Sequence, residues 1–156
     1  MSTTSALPPA VRAFDLTADR FDQRFGEWRS VAAQRRAVRR YLLRAFAPGS
    51  RLLELGAGTG EDALFLLERG YDVTLTDGSP RMVARAAEKL RRAGYGDRVW
   101  VEQALLEDLD AFVERVRQRS EAPFDGAYSN FAALNCVEDL SVMAKPLARL
   151  LRPGAA

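Results

Sequence analysis

The residues able to do chemistry concentrate in one short stretch, Glu54-Leu-Gly-Ala-Gly-Thr-Gly60, and in an acid a little further on, Asp77. Glycines at 56, 58 and 60 let a chain turn sharply and let a ligand approach without a Cβ in the way. A dinucleotide loop reads G-x-G-x-x-G and rests a pyrophosphate on a helix N-terminus. Counted from Gly56 and Gly58, its third glycine would fall at position 61, which is Glu61. A carboxylate there repels phosphate. Glu54, two residues before the first glycine, points instead to a cationic ligand. Asp77 lies 21 residues after Gly56, where a carboxylate can accept hydrogen bonds from both hydroxyls of a ribose.

The rest of the composition removes alternatives. There is no histidine and a single cysteine, Cys136. Ser-His-Asp and Cys-His nucleophile systems are excluded, as are histidine metal sites and an intrachain disulfide. No metal site is expected. Cys136 reads as a small buried residue rather than a nucleophile. The formal net charge of +2 gives no footprint for nucleic acid. Arg35, Arg36, Arg39, Arg40 and Arg44 read as the solvated face of a helix whose other face carries Val31, Val38, Leu42, Ala45 and Phe46. No apolar run is long enough to span a membrane and no secretory signal is evident, so a cytoplasmic location is expected.

The elements that must position these residues alternate in type. Residues 10–29 form one or two short helices carrying Phe14, Phe21, Phe25 and Trp28. Ser30 caps a helix over about 31–46 that stops at Pro48-Gly49. Arg51–Leu55 is a short buried strand, followed by a helix from Glu61 to Arg69 ending at Gly70. Tyr71–Thr76 is a second strand. Ser79 caps and Pro80 opens a helix that ends near Gly94. Val99–Gln103 is a third strand, Leu109–Arg117 a helix, Phe124–Ser129 a fourth strand and Leu140–Leu151 a helix closed by Pro153-Gly154. Strands alternating with helices imply an α/β fold, a parallel sheet with helices on both faces. Residues 1–46 form a helical cap and 47–156 the core, one structural unit.

Glu54-Leu-Gly-Ala-Gly-Thr-Gly60, in its strand–turn–helix setting, resembles motif I of class I (Rossmann-like) S-adenosylmethionine-dependent methyltransferases. Asp77, Ser79 and Met82 match the D-x-S-x-x-M form of motif II, and Phe124-Asp125-Gly-Ala-Tyr-Ser-Asn-Phe131 resembles motif IV. Ala18-Asp-Arg-Phe21-Asp22 resembles the A-x-x-Y-D segment of small-molecule members, where it belongs to a helix covering the cofactor. The resemblance implies S-adenosylmethionine as cofactor, S-adenosylhomocysteine as product and in-line methyl transfer. It implies cofactor contacts from Phe21, Glu54, Gly56, Ala57, Gly58, Thr59, Gly60, Asp77, Gly78, Ser79, Met82, Ser129, Asn130 and Phe131. At motif III, Leu105 stands where many relatives have Asp, so Ala104 and Leu105 are expected only as adenine-edge contacts. Glu107 and Asp108 are expected at a helix start and Asp125 at the far end of its strand. Tyr128, Asn130 and Asp22 are the candidates for a catalytic role, and Phe25 and Trp28 for lining the acceptor pocket.

The acceptor is expected to be a small molecule, since no N-P-P-Y-type sequence follows the fourth strand. Only strands one to four of the usual seven are encoded. Strand four is therefore expected to leave an edge open, to be completed by another chain or a second copy, or absent because the chain is a fragment. Two other readings stand beside active methyl transfer: a cofactor-binding but inactive remnant or partner subunit, and an NAD-dependent oxidoreductase, which Glu61 opposes.

Overall fold

The computed structural model describes residues 7–26, 28–96, 98–131 and 133–156. Its sheet is parallel, with strands β1 (Arg51–Leu55), β2 (Asp72–Asp77), β3 (Val101–Gln103) and β4 (Gly126–Tyr128) in the order 3-2-1-4. The chain reverses direction across the sheet between β1 and β4. Loops that leave adjacent strand ends on either side of such a point open a crevice. The Gly56–Gly60 loop and the Ser129–Phe131 segment flank it.

Helices α1 (Pro9–Thr17), α2 (Phe21–Gly26) and α3 (Arg29–Ala45) precede the sheet. Helices α4 (Glu61–Leu67), α5 (Pro80–Arg92), α6 (Leu109–Gln118) and α7 (Ala144–Leu150) follow in order. Two apolar layers sandwich the sheet. Leu42 and Phe46 join Leu52, Leu66, Val73, Leu75 and Leu90 on one face. Leu53, Leu55, Phe112, Phe124, Met143 and Leu150 fill the other. The period of two along β1 sends Leu52 and Leu53 to opposite faces. It also sends Glu54 to the first face, beside buried Tyr128.

Several boundaries differ from expectation for local reasons. Trp28, not Ser30, precedes α3, and no side chain caps it. Ala45 is exposed. The helix expected over Leu140–Leu151 divides into a 3-10 turn, Leu140–Met143, and α7. Pro146 lacks an N–H and clashes with the preceding turn, so it is accommodated only in a first turn. The outer edge of β4 is not left open either. The Phe124 amide donates to the Leu150 carbonyl, the Arg152 amide to the Phe124 carbonyl and the Ala127 amide to the Ala156 carbonyl. Among the described residues, no helix is long and apolar enough to cross a membrane.

Candidate functional site

At the carboxyl ends of β1 and β2 lies a cleft open to solvent. β1 delivers Glu54 to its floor. The turn beyond has left-handed backbone at Gly56, Gly58 and Gly60, which glycine adopts at no steric cost. Two of these glycines do different work. A Cβ on Gly56 would lie 2.3 Å from the Cβ of Ala133, whereas a Cβ on Gly58 would meet only the Phe21 ring, 4.0 Å away. Gly56 lets two backbones close together; Gly58 keeps open the space a ligand would fill.

Asp77 ends β2 and braces this turn. One carboxylate oxygen accepts from the Gly58 amide at 2.8 Å, and the other from the Ser79 amide at 2.8 Å. Each oxygen retains acceptor capacity beyond these bonds, and Asp77 lines the cleft. Burial pushes the Asp77 carboxyl up from the ordinary range, and its two amide donors oppose that. Glu54 is shifted further. Burial, then repulsion from Asp62, raises it well above a usual carboxylate, against weaker help from Tyr128 and Arg35. One Glu54 oxygen and the Tyr128 hydroxyl are buried with no hydrogen-bond partner of acceptable geometry.

Carboxyl groups dominate the cleft: Glu54, Glu61, Asp62, Asp77 and Glu107 line it with Arg35, the one cation among its described lining residues, while Lys89 and Arg39 reach Glu61 and Asp62 from outside. Glu61 and Asp62 occupy the first turn of α4, where a pyrophosphate would otherwise rest. Their charge opposes a pyrophosphate at that helix end. Asp62, 3% exposed, accepts from Arg39 at 2.8 Å and from Asn130 at 2.8 Å, and pairs with Arg35 at 3.1 Å. The Arg35 guanidinium stacks 4.6 Å from the Phe131 ring. Phe131 itself has left-handed backbone, φ 55°, a conformation uncommon for a residue other than glycine. Arg35 and Arg39 therefore do not belong to a solvated face; only Arg36, Arg40 and Arg44 are exposed.

Most of the expected contacts meet in this cleft: Phe21, Glu54, Gly56, Ala57, Gly58, Thr59, Asp77, Gly78, Met82, Asn130 and Phe131. Five do not line it. Gly60 packs against Leu75 and Ala86. Ser79 is buried, accepts from the Met82 amide to cap α5, and donates to Asp15. Ala104 is buried, its amide bonded to the Asp77 carbonyl. Leu105 faces Gly78 and precedes the 3-10 turn Leu106–Asp108. Ser129 donates to the Leu55 carbonyl, bracing β1. That 3-10 turn shifts the register, so Leu106 and Glu107 reach the cleft instead. Val11, Phe14, Arg35, Asp62, Ala133, Cys136 and Val137 also line it unexpectedly; Cys136 is half-buried there. Phe25 and Trp28 are stacked outside it, Trp28 half exposed.

The catalytic candidates are largely absorbed by structure. Asp22 does not line the cleft; it accepts from Thr59 and pairs with Lys89. Asn130 donates to Asp62 and accepts from the Phe131 amide. Tyr128 lies beneath the floor, its ionisation pushed far up by burial and by Glu54. Tyr128→Phe is expected to weaken binding of a ligand ammonium modestly, since Tyr128 favours the ionised form of Glu54, and to stabilise the chain by up to about 1 kcal/mol, because a buried hydroxyl without a well-aligned partner costs more than a phenyl edge. A lower urea midpoint for the variant would contradict this.

Glu54 also sets a pH dependence. Its folded value lies above the ordinary one, so the stability tied to its protonated form is complete at low pH. That stability is lost as pH rises from 4.5 through the raised value. Glu54→Gln is therefore expected to be more stable than the parent at pH 7, with the gap closing toward pH 4.5. A ligand ammonium gains affinity over the same rise, as Glu54 ionises. Parallel thermal melts and ligand titrations of the two proteins across that range check both signs.

S-adenosylmethionine fits these residues. The partnerless oxygen of Glu54 suits an ammonium, the spare lone pairs of Asp77 suit two hydroxyls, and Met82 and Leu106 supply an apolar face for a purine. Glu107 can accept from an exocyclic amine.

The comparisons agree. A family model for a methyltransferase domain matches residues 52–154. Human glycine N-methyltransferase is 32% identical over 139 residues, covering 83% of this chain and 46% of that protein. The Escherichia coli tRNA 5-carboxymethoxyuridine methyltransferase is 31% identical, covering 67% of this chain and 37% of its own length. A Geobacter sulfurreducens S-adenosylmethionine-dependent methyltransferase, crystallised with S-adenosyl-L-homocysteine, superimposes with a TM-score of 0.58 at 27% identity. That match covers 79% of this chain and 45% of that one. The chain thus spans less than half the length of each.

Proposed function

We propose that this chain, which belongs to the class I S-adenosylmethionine-dependent methyltransferases, carries the cofactor half of an enzyme that methylates a small molecule. When bound, the cofactor supplies a methyl group already activated by its sulfonium. What remains for the protein is to hold, orient and exclude water. Glu54 receives the ammonium side and Asp77 the ribose hydroxyls. Met82, Leu106 and Glu107 take the adenine, while Phe14, Phe21 and Val11 roof the site. Asn130 and Phe131, at the end of β4, border the reacting carbon, and no side chain here is assigned as a general base.

One observation favours a small acceptor over RNA: the cleft offers no free cation among its described lining residues. Arg35 is the cation there and is paired with Asp62, so a polyanionic backbone finds nothing there to attract it. Relatives act on both kinds of acceptor by name, so the acceptor decides the experiment. Purified protein is incubated with methyl-tritiated S-adenosylmethionine and, separately, with a low-molecular-weight cell extract and with total RNA. Label is expected in the small-molecule fraction. Label confined to RNA would overturn the small-acceptor reading.

A further inference from the structure

We propose that Lys89 is a positioning residue that ties the N-terminal cap to the glycine loop, so that the cap is an ion-paired latch over the cofactor and its release sets the rate of cofactor exchange. This rests on the cofactor reading above. Lys89 projects from α5, outside the cleft, and gathers three partners. Its ammonium lies 2.6 Å from Asp22 of α2, 3.2 Å from the Thr59 hydroxyl and 2.5 Å from Glu61. Thr59 belongs to the glycine loop and donates in turn to Asp22. One cation thus joins the cap, the loop and the first turn of α4.

The contact extends as a matched stripe. Asp15, Asp19 and Asp22 recur at helical spacing along the cap. Arg81, Arg85 and Lys89 recur every four residues along α5, which places them on one face. Asp15 accepts from the Ser79 hydroxyl at 2.7 Å and the Arg81 amide at 3.0 Å. Asp19 pairs with Arg81 and, at 2.6 Å, with Arg85. Apolar burial does little to hold the cap. Of its described residues in α1, α2 and the turn between them, only Ala18 is buried, and Leu16 is 68% exposed.

The members of the stripe are unequal. Asp19, Arg81 and Arg85 are about half exposed, and such pairs are weak and screened by salt. Lys89 is 21% exposed, and losing it leaves Asp22 and Thr59 without their cation and Glu61 with only the more distant Arg39, 3.9 Å away. Since Val11, Phe14 and Phe21 of the cap line the cleft, opening this knot would draw one wall away from a bound ligand and speed its exit.

S-adenosylhomocysteine is the suitable probe, because its ammonium and carboxylate cancel and salt acts little on the ligand itself. Its dissociation is followed by stopped-flow chase for the parent, Lys89→Met, Lys89→Arg and, as control, Arg149→Ala, whose partners Asp110 and Glu114 lie on α6. Dissociation from the parent is expected to quicken as salt rises from about 20 to about 500 mM. Lys89→Met should dissociate about tenfold faster at low salt and lose the salt dependence, Lys89→Arg should recover most of it, and the control should match the parent. A folded Lys89→Met with parental dissociation, or a parental rate indifferent to salt, overturns the latch. Hydrogen exchange of the cap amides in the free chain is an independent reading. Lys89→Met should speed exchange over Pro9–Gly26 and not over α6, and unchanged cap exchange also overturns it. Failure of the parent to bind S-adenosylhomocysteine at all would instead sink the cofactor reading, leaving the exchange result to decide the latch.

Discussion

Asp77→Ala is expected to weaken S-adenosylhomocysteine binding by about 100- to 1,000-fold, since two hydrogen bonds to a charged acceptor are lost together. The stability of the free chain should change far less. The carboxylate is costly to bury, as its raised pKa records, so its removal is partly a relief. Against that, the Gly58 and Ser79 amides lose their acceptor. Asp77→Asn, which keeps an acceptor in place, should lose only about tenfold. Calorimetric titration beside thermal melts separates the two quantities. A folded Asp77→Ala chain that binds within about threefold of the parent would remove Asp77 from the ligand site.

Gly56→Ala is expected to cost about 2–4 kcal/mol of stability and to abolish binding. A Cβ at this position would overlap the Cβ of Ala133 at 2.3 Å, and a Cβ moves only with its backbone. Overpacking of that kind costs about 1–3 kcal/mol, and the left-handed backbone adds about 1. Gly49→Ala isolates the second contribution, because Gly49 has φ 82° and nothing within 4 Å of its Cβ direction. It should lose about 1 kcal/mol only. Equal losses in urea denaturation would mean that the approach of the two backbones carries no weight.

The parts of this site legible in the sequence are those where chemistry restricts the residue. A glycine loop between a strand and a helix, an acid before it and an acid closing the next strand leave few physical readings. Glu54, Gly56, Gly58 and Asp77 accordingly meet in one cleft. Pairings between distant elements were illegible. Arg35 and Arg39 look like solvated arginines until α4 brings Asp62 against them. Their spacing of four, next to Val31, Val38 and Leu42, was the available signal. Lys89 lay hidden for the same reason. Leu106 and Glu107 were missed because a 3-10 turn, at about three residues per turn, winds them into the cleft, and nothing in Leu-Leu-Glu-Asp announces it. Pro146, through its missing N–H, was the available signal for the break before α7, and reading one helix over Leu140–Leu151 passed over it.

The strand order has a kinetic consequence. β1 joins β2 through residues only 22 apart, Glu54 to Thr76, but meets the β4 segment across 74, Arg51 to Asp125. Closing the longer loop costs about 1 kcal/mol more in chain entropy, and such distant pairings form late in assembly. The glycine turn and Asp77 can therefore be in place while Asn130 and Phe131 are still searching for theirs. During refolding, recovery of ribose recognition should precede closure of the methyl-transfer end of the cleft, so the lag between the two would time the docking of β4.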